Sequence, residues 1–343
     1  MTINRLYYNI DKYIANKINP PIKKIGEIKH DLSPTKVVGF TLKKFYGQEA
    51  AVDILSVAIG AAKKQKKPLD HILFYGGPGL GKSLLARTMA CEMNSYYKEF
   101  LGSELRESSS IKDLLNFLLL PYPNKAIFID EVHSISLKSA EMLYEAMQDF
   151  SIKGEKIVPF TLMAATTYSG KIYRPLRERF TYAIKLELYN KESICKLLKD
   201  KFPKLPDNVI EFIADRSKSI PRIGLHYAKK IIDTAIAEGK EVGIRQATFI
   251  MNVLKVNDDG LTQDDISVLS VLKENKGPMS RNNICSVLNI DSSDFDWLIE
   301  PILLNLGFIT IMPRGRCILD AGRLYLARLE KAGLCELKMF LKH

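Results

Sequence analysis

The sequence is poor in the residues that cross-link extracellular and metal-stabilised proteins. Its 343 residues include five cysteines and five histidines, scattered along the chain, and no two cysteines form a Cys-x-x-Cys pair. An odd number of widely spaced cysteines argues against a disulfide framework and against a zinc site. We therefore expect a fold without disulfide bonds and without a structural zinc ion.

Long apolar runs are also missing. The sequence has no uncharged apolar stretch of the roughly eighteen residues that a membrane-spanning helix needs. Charges interrupt residues 1–30 throughout, so this segment lacks the apolar core of a secretory signal. These absences predict a cytoplasmic protein.

The sequence has fewer acidic than basic residues. With 50 Lys and Arg against 39 Asp and Glu, the formal net charge is +11, which favours polyanionic partners. A solvated, lysine-rich surface explains the total equally well, so position matters more. From Met312 onward the chain has seven basic and three acidic residues, and an acidic cluster lies just upstream. The basic residues are Arg314, Arg316, Arg323, Arg328, Lys331, Lys338 and Lys342, and the acidic cluster is Asp291, Asp294, Asp296 and Glu300. The C-terminal region is therefore expected to have a separate basic face.

The hydrophobic pattern divides the chain into four parts. Residues 1–30 contain the breaker Asn-Pro-Pro and are expected to be an N-terminal extension. In residues 31–188, short apolar runs alternate with amphipathic stretches, which predicts an α/β domain with a largely parallel sheet. Residues 189–258 show only helical periods, which predicts a small all-α lid. Residues 259–343 show three helical patterns and then a two-stranded hairpin, the order of a winged-helix module.

Residues 76–83, GGPGLGKS, lie between a predicted strand and a predicted helix. They match the phosphate-loop motif, in which glycines let backbone N–H groups surround phosphate oxygens and the helix N-terminus adds positive charge. Lys82 is predicted to neutralise the β and γ phosphates of a nucleotide, and the Ser83 hydroxyl to hold Mg²⁺. A plain glycine-rich turn is the alternative, and the flanking strand and helix disfavour it.

Two adjacent carboxylates end the predicted strand AIFIDE. Asp130 and Glu131 emerge from an apolar run, where carboxylates are costly unless a cation or a reaction needs them. Asp130 is predicted to bind Mg²⁺ through water, and Glu131 to polarise the attacking water. The alternative is a solvated strand end, which the phosphate loop upstream disfavours.

Other polar residues could complete such a site. Thr166 and Thr167 end a third buried strand, where a hydroxyl can align water, although threonine is also common in strands. Arg177 and Arg179 follow in a proline-marked turn, either as surface charges or as a finger that reaches a neighbouring subunit's nucleotide. Arg222 opens a helix of the predicted lid, either as a surface residue or as a phosphate contact.

The order of these motifs resembles the AAA+ ATPases and, within them, the RuvB family of ring motors that migrate Holliday junctions. The resemblance runs from about residue 32 to about residue 328, and its most selective stretches are LDHILFYGGPGLGK, LYEAMQDF and PRGR. It implies a AAA+ P-loop NTPase domain with a parallel sheet, an all-α lid and a C-terminal winged helix. It also implies an ATP- and Mg²⁺-dependent DNA translocase that acts as a hexameric ring on duplex DNA in recombination and repair.

The resemblance implies roles that spacing alone does not give. Arg179 is implied to be the finger that acts across the subunit boundary, and Thr167 to be the sensor hydroxyl. For Tyr189 the alternative is a core aromatic. The implied catalytic residues are Lys82, Asp130, Glu131, Thr167, Arg179 and Arg222. The implied nucleotide contacts are Leu32, Gly79, Gly81, Lys82, Ser83, Leu84, Tyr189 and Arg222, with Gln148, Asp149 and Phe150 at a position near bound nucleotide in relatives.

The stretch MPRGR, residues 312–316, is predicted to be the tip of a stiff basic hairpin. In relatives the corresponding tip is inserted at the DNA, which implies that Arg314 and Arg316 contact backbone phosphates. Pro313 and Gly315 would fix the turn. A tip that only keeps a loop soluble, or a wing that contacts protein, is the alternative.

The chain departs from the family pattern at a few places. Relatives usually have arginines where this chain has Ser33 and Ile311. Residues 148–160 form a shorter hairpin than the one that docks the junction-binding partner RuvA in relatives, so the usual contact with a RuvA-like partner is expected to be weakened, replaced or absent.

Other functions use some of the same parts. The main alternative is a clamp-loader-like AAA+ switch, which would place a protein on DNA instead of moving along it. The PRGR wing argues against this alternative. The full catalytic set disfavours a nucleotide-binding protein without turnover, and a protein remodeller would need an aromatic-glycine pore loop, for which the sequence offers no convincing candidate.

Overall fold

The structure is a computed structural model that describes residues 35–36, 38–152, 154–275 and 277–331. All the described residues belong to one compact unit. The predicted extension, residues 1–30, and the predicted nucleotide contact Leu32 lie outside the described residues, as do Ser33, Lys338 and Lys342. Within the described ranges, no helix has the length and apolar character that crossing a bilayer requires.

The first half of the described chain forms a six-stranded sheet. Its strands are β1 Thr35–Lys36, β2 Ile72–Tyr75, β3 Tyr96–Leu101, β4 Lys125–Asp130, β7 Phe160–Thr166 and β8 Tyr182–Lys185, whereas β5 Ser151–Ile152 and β6 Glu155–Lys156 form a separate hairpin. The strand order is β1-β3-β4-β7-β2-β8, and every neighbouring pair is parallel except β1 with β3. Strands β4 and β7 are buried along their length apart from the Asp130 end. The predicted parallel sheet is confirmed.

Helices cover both faces of this sheet. They are α1 Glu49–Gln65, α2 Lys82–Glu92, α3 Ser108–Leu119, α4 Leu137–Asp149 and the short α5 Arg174–Arg177, with 3-10 turns at Leu42–Lys44, Glu104–Arg106, Val132–Ser134 and Ser169–Lys171. On one face Phe74 packs with Leu85 of α2, and on the other Ile127 packs with Leu143 of α4. Because apolar side chains point both ways from the sheet, the strands read as continuous apolar runs in the sequence.

Residues beyond β8 form the predicted helical lid. Its helices are α6 Lys191–Lys201, α7 Asp207–Arg216, α8 Pro221–Ala237 and α9 Ile244–Val253. The Asn190 side chain accepts a hydrogen bond from the Ser193 N–H at 2.8 Å and caps α6. Pro221 opens α8, where its fixed φ suits the first turn. The lid is confirmed as a helical region, and the domain boundaries remain predictions.

The last described part is a winged helix with its own core. Its elements are α10 Gln263–Glu274, α11 Arg281–Leu288, α12 Ser292–Asp294, the π-helical turn Phe295–Ile299, α13 Glu300–Asn305, the strands β9 Ile309–Met312 and β10 Gly315–Ile318, and α14 Asp320–Lys331. Strands β9 and β10 are antiparallel, and Met279 bridges to Arg316 at the other edge of β10. The predicted helices and wing are confirmed. The π-helical turn and α14 were not predicted.

Candidate functional site

The phosphate loop joins β2 to α2. Gly79 and Gly81 have φ values of +79° and +98°, in the left-handed region that favours glycine. Lys82 is 7% exposed, and its Nζ donates to the carbonyls of Gly76 and Gly77 at 2.9 Å each. Burial lowers the pKa of Lys82, while Glu131 and Asp130 oppose that shift. The predicted phosphate-binding cation is thus held against the backbone of its own loop.

Ser83 and Asp130 meet at the foot of this loop. The Ser83 Oγ donates to Asp130 Oδ2 at 3.1 Å and joins the first turn of α2 to the end of β4. Magnesium prefers hard oxygen ligands and commonly uses one or two protein groups together with water and phosphate oxygens. In the part of the chain that the structure describes, no group of three or more His, Cys, Asp or Glu side chains could hold a metal ion. The Ser83 and Asp130 oxygens fit a magnesium ion that a nucleotide brings with it.

Glu131 is oriented by the ends of two neighbouring strands. Its φ is +48°, a region that costs a non-glycine residue about 1–3 kcal/mol. The Glu131 Oε2 accepts hydrogen bonds from the N–H and the hydroxyl of Thr167, at 3.3 and 3.2 Å. The structure therefore brings the predicted base and the predicted sensor into direct contact.

His133 completes this group, and sequence reasoning gave it no role. Its Nδ1 lies 3.1 Å from Glu131 Oε2 and 2.9 Å from Thr166 Oγ1. Burial lowers the pKa of His133, although the charge of Glu131 opposes the shift. A signal was present in the sequence, because His133 follows the paired carboxylates by two positions in DEVH.

The lid contacts the phosphate loop through Arg222. An added Cβ on Gly79 would lie 2.9 Å from the Cβ of Arg222 and 3.0 Å from Ile220, so the start of α8 packs directly on the loop. The Arg222 side chain is exposed. The pKa of Lys82 is lowered by burial first and also by the charge of Arg222. The two cations that are predicted to meet phosphate are thus near one another.

Tyr189 is a core residue that contacts the phosphate loop, and its predicted contact with nucleotide remains a prediction. It is 5% exposed, and its hydroxyl donates to the Leu80 carbonyl in the phosphate loop at 3.2 Å. Burial raises its pKa. Tyr189 is therefore a core aromatic whose hydroxyl supports the phosphate loop. The other predicted nucleotide contact in this region, Leu84 on α2, is 40% exposed.

Arg179 lies in the turn after α5 and is held by α4. Its Nη2 donates to the Tyr144 hydroxyl and to Gln148 Oε1, at 2.8 Å each, and its guanidinium lies 4.7 Å from the Tyr144 ring centroid. The structure thus groups Gln148 with the predicted finger. Asp149 is exposed, and Phe150 packs against His71 and Phe160.

Arg314 and Arg316 have different surroundings. Arg314 is exposed at the two-residue turn between β9 and β10. The Arg316 side chain is 19% exposed, and its Nε and Nη2 donate to the two carboxylate oxygens of Glu300 at 2.5 and 3.1 Å. Such bidentate pairs are strong and fix geometry. Arg314 is therefore the tip arginine that solvent reaches, and Arg316 holds the wing against α13.

Part of the upstream acidic cluster lies next to basic residues of the winged helix. Glu300 pairs with Arg316, and Asp296 pairs with Arg281 at 2.8 Å. Two members of the acidic cluster thus neutralise basic residues of the winged helix. Among the predicted basic residues that the structure describes, those with exposed side chains are Arg314, Arg323, Arg328 and Lys331.

A buried ion pair joins the lid to the winged helix, and sequence reasoning missed it. The Lys218 Nζ donates to Asp265 Oδ2 at 2.5 Å and to the Leu298 carbonyl at 3.2 Å. The two side chains are 5% and 0% exposed. Lys218 lies four positions before Arg222, so the start of α8 has on one side the residue that is tied to the winged helix and on the other a residue that packs on the phosphate loop.

The sequence matches two family descriptions that together span most of the described chain. Residues 38–186 match the Holliday junction DNA helicase RuvB P-loop domain, and residues 258–327 match the RuvB C-terminal winged helix domain. The two matches cover the β-sheet region that carries the phosphate loop and the module that carries Arg314.

Whole-length relatives agree with both matches. The Holliday junction branch migration complex subunit RuvB of Leuconostoc mesenteroides is 34% identical over 305 residues, which cover 83% of this chain and 86% of that protein. Its counterpart from Ehrlichia ruminantium is 35% identical over 303 residues, covering 83% and 90%. Among solved structures, the Thermotoga maritima RuvB Holliday junction branch migration motor has a TM-score of 0.75 at 31% identity, covering 86% of this chain and 98% of that one. This chain belongs to the RuvB family.

Proposed function

We propose that the protein is an ATP-driven motor that translocates duplex DNA and promotes branch migration of Holliday junctions in recombination and repair. The observation that carries this proposal is the buried Lys218–Asp265 pair, which ties a winged helix with an exposed tip arginine to a lid that rests on a phosphate loop. A protein that only binds nucleotide has no need for such a link.

The side chains around the loop suit hydrolysis. Lys82 would exchange its two carbonyl partners for the β and γ phosphate oxygens of ATP. Ser83 and Asp130 would hold Mg²⁺, which when bound neutralises phosphate charge. Glu131, which accepts hydrogen bonds from Thr167 and lies close to His133, would polarise the attacking water and accept its proton.

Arg179 supports an oligomer. A finger arginine stabilises transition-state charge on the nucleotide of a neighbouring subunit, so it functions only when a second copy is present. Its hydrogen bonds to Tyr144 and Gln148 orient the guanidinium on α4. We infer a homo-oligomeric ring, with a hexamer as the expected size.

Lid motion would reach the DNA through the winged helix. Hydrolysis changes what Arg222 contacts, and the lid then rotates relative to the sheet. Because Lys218 is buried against Asp265 and the Leu298 carbonyl, the winged helix follows the lid. Arg314 would hold backbone phosphates without reading bases, which suits translocation along any sequence.

Two finer points remain proposals. Among the described residues, the hairpin of β5 and β6 pairs Ser151 with Lys156 and Ile152 with Glu155, so a RuvA-like partner would have a small docking surface here. A cytoplasmic location is proposed from the sequence. The positive charge of the exposed Arg314 suits a contact with DNA phosphates, which favours a translocase over a clamp-loader-like switch that contacts protein.

The direct test is ATP-dependent dissociation of a synthetic four-way junction, with and without RuvA. We expect wild type to dissociate the junction. Glu131→Gln should bind ATP and DNA but lose turnover by about a hundredfold or more, and Arg314→Ala should keep basal turnover and lose stimulation by DNA. An exposed-residue control, Glu141→Gln, should match wild type. Junctions that stay intact with wild-type protein, ATP and RuvA would refute the proposed function.

A further inference from the structure

The single tryptophan of the chain belongs to the winged helix but lies against the phosphate loop. An added Cβ on Gly77 would lie 3.2 Å from Cε3 of Trp297. The centroid of the Trp297 ring lies 6.4 Å from the ring centroid of Tyr168, the residue after Thr167. The indole Nε1 is buried and has no hydrogen-bond partner among the described residues. This side chain therefore fills the seam between the winged helix and the nucleotide site.

Contacts continue from Trp297 to the proposed catalytic base. The Tyr168 ring meets the imidazole of His133 edge-on, with centroids 5.4 Å apart and planes at 82°. The His133 Nδ1 in turn lies 3.1 Å from Glu131 Oε2. The Tyr168 N–H also donates to Thr166 Oγ1 at 3.0 Å, so the backbone that carries this ring is held at the end of β7. A shift of the indole would therefore displace groups that orient Glu131.

The same turn of the winged helix is tied to the wing and to the lid. Trp297 lies in the π-helical turn Phe295–Ile299, a rare geometry that is frequent at functional sites. The next residue, Leu298, gives its carbonyl to Lys218 of the lid, and Glu300 holds Arg316 of β10. Movement of either the wing or the lid must therefore move the indole.

We propose that Trp297 is a positioning residue through which DNA held at the wing controls ATP turnover in the same protomer. The inference rests on the proposed function and adds a route to it. When DNA binds and moves the wing, the Arg316–Glu300 pair transmits this movement to the π-helical turn. The indole of Trp297 then shifts relative to Gly77 and Tyr168. His133 then changes its contact with Glu131, and the rate of water activation changes with it.

The test compares full-length variants by the ratio of DNA-stimulated to basal ATP turnover. We expect Trp297→Ala to lower this ratio by about threefold or more, within the range over which linking residues change coupling. Trp297→Phe, which keeps an aromatic face, should retain most of it. Leu324→Ala, a truncation of an exposed residue of the same module, should keep the wild-type ratio. A Trp297→Ala ratio equal to wild type would overturn the inference and leave the proposed function standing, whereas a wild type that DNA does not stimulate would overturn both.

Fluorescence gives a second measurement that does not depend on turnover or on the stability of the alanine variant. Because Trp297 is the only tryptophan, its emission reports this seam alone. In the Glu131→Gln background we expect the emission to change on addition of Mg²⁺-ATP, and to change again with duplex DNA. The second change should be absent in Glu131→Gln, Arg314→Ala. Emission that stays constant through both additions would overturn the inference.

Discussion

Thr167 gives two hydrogen bonds to one oxygen of Glu131, from its backbone N–H at 3.3 Å and from its hydroxyl at 3.2 Å. The two residues lie 36 positions apart and meet because β4 and β7 are adjacent parallel strands that end at the same edge of the sheet. The left-handed φ of Glu131 turns its side chain toward that edge. Strain and hydrogen bonds together hold the carboxylate in one orientation, which is the kind of preorganisation that catalysis uses.

Replacing the hydroxyl of Thr167 separates its role from that of the backbone. In Thr167→Val the N–H bond to Glu131 remains and the hydroxyl bond is lost, so we expect ATP turnover to fall by about tenfold or more while ATP binding is retained. Steady-state turnover and binding of a fluorescent nucleotide measure the two effects. Thr167→Ser keeps a hydroxyl and should recover most of the rate. Equal rates for the valine variant and wild type would contradict a role for this hydroxyl.

The two wing arginines should respond differently to truncation. Arg314 is exposed, so Arg314→Ala should change the free energy of unfolding by less than about 0.5 kcal/mol. The plot of the logarithm of the DNA association constant against the logarithm of the salt concentration should become less steep, with its slope reduced by about 0.9. Arg316→Ala leaves the largely buried Glu300 without its partner and should lower the free energy of unfolding by about 1–3 kcal/mol. Urea unfolding and DNA titrations at several salt concentrations distinguish them. If Arg314→Ala left the salt dependence unchanged, the tip would not be a phosphate contact.

The sequence revealed what depends on local pattern. Strand and helix periods, the glycines of the phosphate loop and the Pro-Arg-Gly-Arg turn lie within short stretches, so the sheet, the lid and the wing could all be predicted. Arg316 shows the limit: its place beside the turn suggested a DNA contact, which remains a prediction, whereas its pairing with Glu300 of another element could not be read from the sequence. Lys218 with Asp265 and Trp297 with Gly77 are 47 and 220 positions apart. Such contacts depend on how helices and strands pack together, so they cannot be predicted from the hydrophobic periodicity of a short stretch of sequence.

The Lys218–Asp265 pair should behave as one unit. Removing either charge leaves the other buried, so Lys218→Met and Asp265→Leu are each expected to lower the free energy of unfolding by about 3–5 kcal/mol. The double variant should recover much of that loss, because no buried charge remains unpaired. Urea unfolding of wild type, the two single variants and the double variant completes a double-mutant cycle. Additive losses in the double variant would contradict a direct pairing. The exposed pair of Lys196 with Glu192 is the matched control, with an effect of about 0.5 kcal/mol or less.

His71 should make the stability of the sheet sensitive to acid. It is 8% exposed, and its Nδ1 accepts a hydrogen bond from the Leu162 N–H at 2.9 Å. Burial lowers its pKa from 6.5 to about 4, although a hydrogen bond to the Met147 backbone opposes the shift. Between these two values the unfolded chain binds a proton that the folded chain does not, so the free energy of unfolding rises with pH across this window and is flat above it.

The size of this effect is set by the pKa difference. A shift from 6.5 to about 4 at 1.36 kcal/mol per pH unit corresponds to about 3 kcal/mol. His71→Gln cannot titrate and should remove this part of the pH dependence between pH 4 and 6.5, whereas His226→Gln, at an exposed position, should not. Urea unfolding at several pH values measures the slope. The free energy of unfolding should therefore depend less steeply on pH in the His71 variant than in wild type and in the His226 variant, because the buried His71 imidazole loses the hydrogen bond from the Leu162 N–H when it is protonated. An unchanged slope in His71→Gln would assign the acid sensitivity to the carboxylates instead.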